Sequence, residues 1–369
     1  MLFASSSPMT QQSATAQVRT LDSAEWEYLI ERTQNPSFLQ DESWGNIKGC
    51  FGWKATRIGV IGQEGNPVTG LQLLTRTIRP LKFLPGIGIA YIPRGPIGTI
   101  ATATFQALLS KAVVVASKSG ASFLRIEPPI ESFETVKPVL KDFGFTRHKE
   151  FIQIRATGYV DLTPLPNDIL ARFKSKTRYN IRLSKRHGVK LRIAEDMSDL
   201  DSFYKMTVLT GERDGFAVHG QEYYNRIWHT CQPDRGHLLI ASVEEQDVAA
   251  LFTVRCGSVA TYLYGASTGA HRRAMPNYCL QWNAMKWGRE MGCTTYDLWG
   301  MQDPEISNDP MAGVNRFKEG FQPEPILHPG AYDLKLNQLS YQVLTRVILP
   351  VRSTWESVRS GKAPASPPI

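Results

Sequence analysis

Apolar residues along the chain follow two patterns, one typical of strands and one typical of helices. The strand-like runs, in which apolar residues alternate with polar ones or follow one another directly, are ATRIGVI, GLQLLTRTI, SFLRIEP, HLLIASV, AALFTVRC, VATYLYGAS and TTYDLWG. The helix-like stretches are SAEWEYLIERT, TATFQALLSKAVVVASKSG, PNDILARFKSKTRYNIRLSKR, MSDLDSFYKMTVLTGERD, QEYYNRIWHT and NYCLQWNAMKWGREMG. The mixture predicts an α/β (or α+β) fold.

One order of elements occurs twice along the chain. In each copy a strand leads into a glycine-bearing loop, a helix, a second glycine and another strand. The first copy runs from Tyr91 to Gly120 and the second from Tyr264 to Gly292, so their lengths differ by one position. Near-equal spacing favours two duplicated domains, although a strand–helix–strand unit has a natural length that also allows coincidence.

The length of the chain favours two hydrophobic cores as well, because 369 residues exceed what one core usually serves. We expect the first domain at 18–158 and the second at 159–333. A helix at about 334–358 is expected to pack on the first domain. Residues 1–17 and 359–369 are predicted to be flexible tails.

The repeated unit is similar to the one with which acetyltransferase-like folds hold coenzyme A. In those folds, backbone N–H groups at the start of the helix surround the pyrophosphate. The second unit of this chain has Met275 and Pro276 at that point. Proline supplies no N–H, and methionine places a large side chain where bare backbone is needed. We therefore expect two acetyltransferase-like (GNAT-like) domains and no cofactor.

The positive charge of the chain is concentrated in one segment. Residues 169–192 contain nine Lys and Arg residues and no Asp or Glu. Removing these nine charges from the net charge of +8 leaves −1 for the rest of the chain. Such a local patch favours a phosphate-rich partner, and the alternative is a solvated helix face without function.

Cysteine and histidine spacing gives no sign of a metal site. The five cysteines form no CxxC pair, and the seven histidines show no HxxxH spacing. Scattered cysteines are typical of reduced thiols in a cytosol. The N-terminus lacks the basic start and apolar stretch of a secretory signal, and no apolar run approaches the roughly 20 residues of a membrane span. These observations predict a cytoplasmic protein without metal.

Several motifs, taken in order, resemble those of a known family. The motifs are YIPRGPI, FKSKTRYNIR, YLYGAS, PNYCLQWNAMKWGREMG, YDLWG and FKEGF. Between about Gln40 and Asp333 the chain resembles the Fem-type (FemABX) peptidoglycan-bridge aminoacyltransferases. The resemblance implies two GNAT-like domains and transfer of an aminoacyl group from a charged tRNA to the stem-peptide amine of a peptidoglycan precursor. Some members carry a long helical arm in the second domain, and the short passage from Asp168 to Arg192 leaves no room for one.

The resemblance places a transition-state lysine at Lys318, with Phe317 shaping the site. When an amine attacks an ester, negative charge develops on the carbonyl oxygen and then on the leaving ribose. A fixed cation in a dry site stabilises that charge, and losing one such donor costs about 3 kcal/mol. The alternative is a surface lysine whose stem rests on aromatic rings and whose ammonium is engaged by neighbouring Glu319.

The acceptor amine must lose a proton, so a carboxylate near the reaction would help. Glu127, at the end of SFLRIEP, lies where the family often has an acidic residue, and we predict it as the general base. The alternatives are an ion pair with Arg125, an exposed strand end, or proton relay through the neighbouring ribose hydroxyl.

The resemblance also suggests residues that hold the precursor. Trp44 and Lys48 stand four positions apart, on one face of a helix if the segment is helical, and in similar proteins this lysine meets the diphosphate. Arg213 is suited to phosphate recognition, with a salt bridge as the alternative. Tyr262 and Tyr264 alternate with one residue between them, and we expect one in the core and Tyr262 as the ligand residue.

The basic segment gains a concrete partner from the resemblance, namely the tRNA. We predict one helix from Arg172 to Arg186 in which Lys174, Arg178 and Arg182 share a face, and the predicted tRNA-binding residues are Lys174, Lys176, Arg178, Arg182 and Lys185. His271, Arg272 and Arg273 are either further phosphate contacts or a solvated loop. Anionic lipid headgroups are the competing partner, because a lipid-linked precursor would bring the enzyme to the membrane surface.

The identity of the precursor stays open, because a lipid-linked and a nucleotide-linked precursor both carry a diphosphate. Two other functions also stay open at this point. A related enzyme could use coenzyme A or another acyl donor, or a different amine acceptor. A non-catalytic protein that binds RNA or membranes is the remaining alternative.

Overall fold

The computed structural model describes residues 17–78, 87–231, 234–306 and 312–344. The predicted tails, apart from residue 17, and the predicted helix beyond residue 344 lie outside these ranges. Within them, the mixed α/β architecture expected from the sequence is confirmed.

The strands form two sheets. In chain order they are β1 (Gln17–Thr20), β2 (Lys54–Ile61), β3 (Pro67–Ile78), β4 (Ile87–Pro93), β5 (Ile97–Gly98), β6 (Ala121–Glu127), β7 (Thr146–Arg147), β8 (Ala156–Asp161), β9 (Lys190–Ile193), β10 (Gly236–Val243), β11 (Gln246–Cys256), β12 (Val259–Ser267), β13 (Thr295–Asp297), β14 (Glu324–Leu327) and β15 (Tyr332–Lys335).

The helices cover both sheets. In chain order they are α1 (Ser23–Arg32), α2 (Glu42–Cys50), α3 (Thr102–Lys118), α4 (Ile130–Asp142), α5 (Pro166–Arg172), α6 (Ser175–Arg186), α7 (Met197–Asp214), α8 (Gln221–Cys231), α9 (Pro276–Glu290), α10 (Ala312–Lys318) and α11 (Gln338–Val343). Short 3-10 turns lie at Phe38–Gln40, Arg272–Ala274 and Glu319–Phe321.

The two sheets have matching topology. The first has the order β1-β2-β3-β4-β6-β15-β7, with β5 paired to β3, and the second has the order β14-β8-β13-β12-β11-β10-β9. Each sheet contains one parallel pair, β4 with β6 and β12 with β13, and all other pairs are antiparallel. Helices α3 and α9 connect these parallel pairs, so the repeated unit of the sequence is a repeated structural unit.

The strands of the two sheets are not fully separated along the chain. Strand β15 comes from the C-terminal part of the chain but lies in the first sheet, between β6 and β7. Strand β8, the first strand of the second sheet in chain order, lies between β13 and β14. The boundary predicted at residue 159 falls inside β8 and stays a prediction.

Local sequence explains where several helices begin and end. Helix α7 starts after Asp196, whose carboxylate accepts from the backbone N–H groups of Ser198 and Asp199, and it ends at Gly215 with a φ of 77°. At α1, Asp22 and Glu25 form a reciprocal capping box. These boundaries are written in the sequence as ordinary capping signals.

The basic segment forms two helices, so the prediction of one continuous helix is wrong. The break lies at Phe173, which has an extended backbone and is 1% exposed. Its ring packs 5.2 Å from the ring of Phe321 and 5.7 Å from that of Trp282, measured between centroids. Burial of this ring turns the chain between α5 and α6. Residues 166–193 contain only α5, α6 and β9, without a long helical arm.

One hydrophobic cluster joins the two halves. Trp26, Phe38 and Ile47 of the first half pack in the same cluster as Phe203 and Phe252 of the second. Because this core is shared, the cleft between the halves has fixed walls.

Candidate active site

The candidate site lies where two parallel strands separate. Strands β12 and β13 pair through three residues each, and the last pair is Thr261 with Asp297. Beyond this pair the chain after β13 turns away, with a left-handed φ of 51° at Trp299 and of 22° at Gly300. A left-handed tryptophan is strained, by about 1 to 3 kcal/mol, and such strain is often found at functional sites.

Lys318 fills the opening between the separating strands. It lies at the end of α10, is 4% exposed, and its Nζ donates to the carbonyl oxygens of Trp299 at 2.8 Å and Gly300 at 2.7 Å. The same Nζ lies 5.2 Å from the ring centroid of Tyr262. The alternative of a surface lysine is therefore wrong.

Burial also changes the acidity of this lysine. Loss of water lowers the pKa of Lys318 to about 7, and the nearby charge of Asp297 opposes part of that change. An ammonium with a pKa near 7 can both stabilise negative charge and exchange a proton at neutral pH.

Glu319 does not neutralise Lys318. Its carboxylate accepts from Asn315 Nδ2 at 2.6 Å and lies 3.7 Å from Lys174 Nζ. The alternative in which Glu319 pairs with Lys318 at the surface is therefore wrong.

Phe317 packs among other aromatic rings. Its centroid lies 4.9 Å from that of Tyr278 and 5.3 Å from that of Phe321. Phe317 and Tyr278 line one end of a cavity of about 230 Å³, and Arg213 and Arg272 line it further along. We call this the second-domain cavity, and no Asp or Glu is among the described residues that line it.

A second cavity of about 230 Å³ lies between the two halves. Arg94 and Glu131 line it from the first half, and Tyr159, Asp297 and Trp299 line it from the second. We call this the interdomain cavity. Gly300 also lines it, so both residues whose carbonyls bind Lys318 form part of its wall. Lys318 itself is not among the described residues that line either cavity, but its chain neighbour Phe317 lines the second-domain cavity.

Glu127 is buried and occupied by hydrogen bonds. Its carboxylate accepts from the Tyr91 hydroxyl at 2.8 Å and from the backbone N–H groups of Ile152 at 2.5 Å and Gln153 at 3.0 Å. The alternative ion pair with Arg125 is wrong, because that guanidinium binds Asp333. The role of Glu127 as base stays a prediction, and its carboxylate already accepts from three donors.

Lys48 and Trp44 share one face of α2, as their spacing predicts. Lys48 Nζ lies 5.3 Å from the ring centroid of Trp44 and 5.6 Å from that of Trp53. Burial, and to a smaller extent Arg76, lowers the pKa of Lys48 to about 8. A desolvated cation among indole rings suits an anionic ligand, and the predicted contact with the diphosphate is not tested by this geometry.

A β-bulge separates the two predicted tyrosines. Thr253 of β11 pairs with Tyr262 and the preceding Phe252 pairs with Tyr264, so the register shifts between them. Tyr262 consequently packs with the core cluster that includes Phe317 and approaches Lys318, whereas Tyr264 packs with the cluster shared between the halves. Simple alternation would have placed both rings on one face.

Arg213 lies at the second-domain cavity with several partners. Its Nη1 donates to the carbonyl oxygen of Ser267 at 2.9 Å, and its Nε and Nη2 donate to Asp214 at 2.8 and 2.9 Å. The salt bridge expected as the alternative role is therefore present. It orients the guanidinium beside Gly269, where Arg272 also approaches.

The basic residues of α6 do not form the predicted stripe. Arg178 Nη1 donates to the carbonyl oxygens of Ala171, at 3.1 Å, and Phe173, which caps the end of α5. Lys176, Arg182 and Lys185 are exposed. The exposed cations of α6 are therefore Lys176, Arg182, Lys185 and Arg186, and the position of Arg178 in the predicted stripe is corrected.

The basic helix is attached to the lysine segment. The backbone N–H of Lys174, at the start of α6, donates to the carbonyl oxygen of Gly320 at 2.9 Å. A partner bound along α6 thus lies beside the turn that follows Lys318.

The start of α9 has a geometry that is unfavourable for holding coenzyme A, as its sequence predicts. Met275 has a left-handed φ of 56°, and Pro276 is the first helical residue. The helix therefore opens with a residue that has no N–H and follows one with a large side chain.

Asp297, Trp299, Gly300 and Glu131 were missed as site residues by the sequence reasoning. The first three belong to the motif YDLWG, whose Trp-Gly pair directly after a strand is the signal for a sharp turn. Glu131 carries no comparable signal, because an acid in the first turn of a helix is common.

The described residues show neither a metal-ligand group nor a helix suited to cross a membrane. The described part of the chain contains no group of three or more His, Cys, Asp and Glu placed to hold a metal ion. Among its helices, none combines the length and the apolar character that crossing a bilayer requires.

Comparisons with known proteins agree on the architecture. Residues 171–319 match the family model described as an acetyltransferase (GNAT) domain. The chain is similar to the lipid II:glycine glycyltransferase of Staphylococcus aureus, with 25% identity over 88% of this chain and 94% of that protein. Its fold is similar to the crystal structure of FemX, with a TM-score of 0.80 and 22% identity over 89% of this chain and 99% of that one. A more distant fold similarity, with a TM-score of 0.54 and 14% identity over 89% and 97%, is to L-PGS from Bacillus licheniformis. The chain thus consists of two tandem GNAT-like domains.

Proposed function

The chain belongs to the Fem-type family of transferases, and from this we propose that it transfers an aminoacyl group from an aminoacyl-tRNA to the stem-peptide amine of a peptidoglycan precursor. The relative from Staphylococcus aureus is named as a lipid II:glycine glycyltransferase, so glycine and a lipid-linked precursor are the first substrates to test. The product would be a cross-bridge of the cell wall. The observation that carries the proposal is a buried lysine held by two backbone carbonyls of residues that line the interdomain cavity.

The proposed reaction places Lys318 at the developing negative charge. The acceptor nitrogen forms a bond to the ester carbonyl carbon, the bond from that carbon to the ribose oxygen breaks, and the amine proton passes to the leaving oxygen or to a base. An ammonium has three N–H groups, and two of them bind Trp299 and Gly300. The third is then available to the oxyanion or to the leaving ribose.

The donor is proposed to lie along α6 and to end near Phe317. Exposed Lys176, Arg182 and Lys185 supply cations for a phosphate backbone, and α6 is attached to the segment that follows Lys318. A partner that binds this face therefore has its end close to the lysine.

The acceptor is proposed to contact Lys48 and Trp44, and Arg213 for its diphosphate. Both substrates carry phosphate, and the second-domain cavity offers the guanidinium groups of Arg213 and Arg272 to either one. Steady-state kinetics of Arg213→Ala assign this cavity. A raised KM for the precursor alone supports the proposed role, and a raised KM for the tRNA alone assigns the cavity to the donor.

The test of the reaction is transfer in vitro. Purified protein is incubated with a panel of charged tRNAs, each combined with a lipid-linked and with a nucleotide-linked precursor, and the products are identified by mass. Transfer with at least one combination supports the proposal, and its absence with every combination contradicts it. If Glu127→Gln keeps full turnover at saturating substrate, Glu127 is not the base.

A second candidate is acyl transfer from coenzyme A, which the match to an acetyltransferase (GNAT) domain favours. Met275 and Pro276 at the start of α9 weigh against it. Calorimetric titration with acetyl-coenzyme A separates the two candidates, because saturable binding would support the second.

A lipid-linked acceptor would bring the protein to the inner face of the cell membrane. The exposed cations of α6 are then available to anionic headgroups as well as to tRNA. We propose tRNA as the principal partner of this face and peripheral membrane contact as a secondary one.

A further inference from the structure

Asp297 is a buried carboxylate without an ion pair. It is the last residue of β13 and is 6% exposed, and no Lys or Arg side chain pairs with it in the described part of the chain. Burial raises the pKa of Asp297, whereas two hydrogen bonds and then the charges of Arg94 and Lys318 lower it. Since burying a carboxylate in this way lowers the stability of the fold, Asp297 is a candidate functional residue.

One oxygen of this carboxylate holds the turn that follows β13. The backbone N–H of Trp299 donates to Asp297 Oδ1 at 2.8 Å, and the hydroxyl of Thr157 on β8 donates to the same atom. The turn is left-handed at Trp299 and Gly300, a conformation that is unfavourable for tryptophan. A hydrogen bond from the N–H two residues after an aspartate is common in turns. The donor from β8 goes beyond that local pattern, because it also fixes the orientation of the carboxylate.

The same turn holds the lysine. The Nζ of Lys318 donates to the carbonyl oxygens of Trp299 at 2.8 Å and Gly300 at 2.7 Å. A continuous series of hydrogen bonds therefore runs from Thr157 through Asp297 and the turn to the ammonium. Two of the three N–H groups of the ammonium are bound by the turn, so the position of the turn decides where the third one points. The proposed reaction uses that third N–H.

The other titratable groups around Asp297 and Lys318 do not supply a second negative charge to the lysine. They are Arg94, Glu131, His328, Tyr159, Tyr262 and Tyr296, together with Lys174 and Glu319, which pair with each other at 3.7 Å. Burial raises the pKa of the three tyrosines and lowers that of His328, so these four groups are uncharged at neutral pH. Arg94 and Glu131 carry opposite charges. Among the described residues, Asp297 is the one whose charge raises the pKa of Lys318.

We propose that Asp297 is a positioning residue for Lys318: its carboxylate fixes the turn that holds the ammonium, and its negative charge stabilises that ammonium. The inference rests on the proposed transfer reaction, in which the ammonium is the form that stabilises the oxyanion. Burial lowers the pKa of Lys318 to about 7, and Asp297 opposes part of that change. Without Asp297, most molecules would therefore lack the cation at neutral pH. In this role Asp297 acts through the lysine and not on the substrate.

The experiment measures the titration of Lys318 with no substrate present. Protein labelled with carbon-13 at the ε position of lysine is titrated by NMR, and the Lys318 signal is the one missing from Lys318→Met. In wild type this signal should titrate near pH 7. Asp297→Asn keeps an oxygen for the N–H of Trp299 but removes the charge, so its midpoint should fall by about one pH unit.

Asp161→Asn is the matched control, because Asp161 is an exposed acid on β8, next to β13 in the sheet. It should keep the wild-type midpoint. An unchanged midpoint in Asp297→Asn, or an equal change in Asp161→Asn, would overturn the inference. The titration needs neither tRNA nor precursor, so a lowered midpoint together with a failed transfer assay contradicts only the proposed function.

Kinetics separate this role from that of an ordinary turn residue. In Asp297→Asn the fall of kcat at alkaline pH should move to lower pH, with both KM values within about twofold of wild type. A residue that only holds the turn would lower kcat equally at every pH, and that result contradicts the effect of its charge.

The hydroxyl of Thr157 gives a second test that leaves Asp297 in place. Thr157→Val removes one donor to the carboxylate and should lower kcat about tenfold with little change in KM. Thr157→Ser keeps the hydroxyl and should recover most of that loss. Equal kcat values in the two variants would show that the hydrogen bond to Asp297 does not position the lysine.

Discussion

At Lys318, burial and charge act in opposite directions. The ammonium loses water, which lowers its pKa to about 7, while two carbonyl oxygens and the ring of Tyr262 partly replace that water. Burying a cation in this way lowers the stability of the fold. A buried lysine with a lowered pKa is therefore a candidate functional residue. Two predictions follow at the scale of this residue, one for rate and one for stability.

Lys318→Met should lower kcat by about a hundredfold, because it removes one donor to the developing oxyanion. The KM values for both substrates should change by less than about twofold, because the lysine acts in the transition state. Steady-state kinetics at saturating substrates measure both quantities. Lys111→Met, which replaces an exposed lysine on α3, is the control, and wild-type turnover in Lys318→Met would show that Lys318 is not the catalytic cation.

The pKa of Lys318 also predicts how stability depends on pH. The folded protein loses this proton near pH 7, whereas the unfolded chain keeps it up to the ordinary pKa of 10.5. Between these values the unfolded state binds more protons, so the contribution of Lys318 to the free energy of unfolding rises with pH.

The measurement is the difference in unfolding free energy between wild type and Lys318→Met, taken from urea titrations. This difference should change little below pH 7 and should rise by about 1.4 kcal/mol per pH unit above it. Groups that titrate equally in both proteins cancel. A difference that stays constant from pH 7 to pH 9 would contradict a lowered pKa.

At the scale of elements, the break between α5 and α6 decides which cations reach a partner. Phe173 turns inward, Arg178 turns back to cap α5, and the start of α6 is bound to Gly320. The exposed cations therefore lie on the helix that is bound to the lysine segment.

Replacing Lys176, Arg182 and Lys185 together by alanine should weaken tRNA binding. The slope of log K against log salt should become shallower by about two to three, because each lost phosphate contact changes it by about 0.7 to 0.9. Filter binding or fluorescence titration at several salt concentrations measures the slope.

The control removes equal charge from exposed positions on α3 and α4, namely Lys111, Lys137 and Lys141. Its slope should equal that of wild type. If the α6 triple variant keeps its tRNA affinity but loses binding to anionic vesicles, the face serves the membrane.

At the scale of the molecule, ion pairs join the two halves at the edge of their shared core. Arg235 of the second half donates to Asp41 and, at 2.5 Å, to Glu27 of the first half. Asp41 is fully buried, and burial raises its pKa while the charge of Arg235 opposes that change. Without Arg235, Asp41 would be a buried carboxylate without a cation.

Arg235→Met should therefore destabilise the protein by about 3 kcal/mol, since it breaks a buried pair. Urea unfolding at pH 7 measures this, and the added substitution Asp41→Asn should recover part of the loss. Arg226→Met removes an exposed arginine that pairs with Glu222 four residues earlier, and it should cost less than about 1 kcal/mol. Equal losses of unfolding free energy in the two variants would show that the ion pair between the halves contributes no more than an exposed pair.

The sequence alone determined the elements and their repetition. Apolar periodicity, caps such as Asp196, and the equal spacing of the two units depend on residues close together in the chain, and so they can be read directly. Lys318 and Phe317 came from the resemblance of a short motif. The prediction that a coenzyme A cradle is lost came from Met275 and Pro276, since backbone chemistry is a local property.

Tertiary structure alone decided what surrounds those residues. The partners of Lys318 are carbonyl groups on another element, 18 and 19 positions earlier in the chain, and local patterns carry no information about them. The bulge opposite Tyr262 is a property of strand register, and the inward turn at Phe173 depends on rings from distant segments. The interdomain cavity is lined by residues of both halves, so its lining could be recognised only in the folded chain.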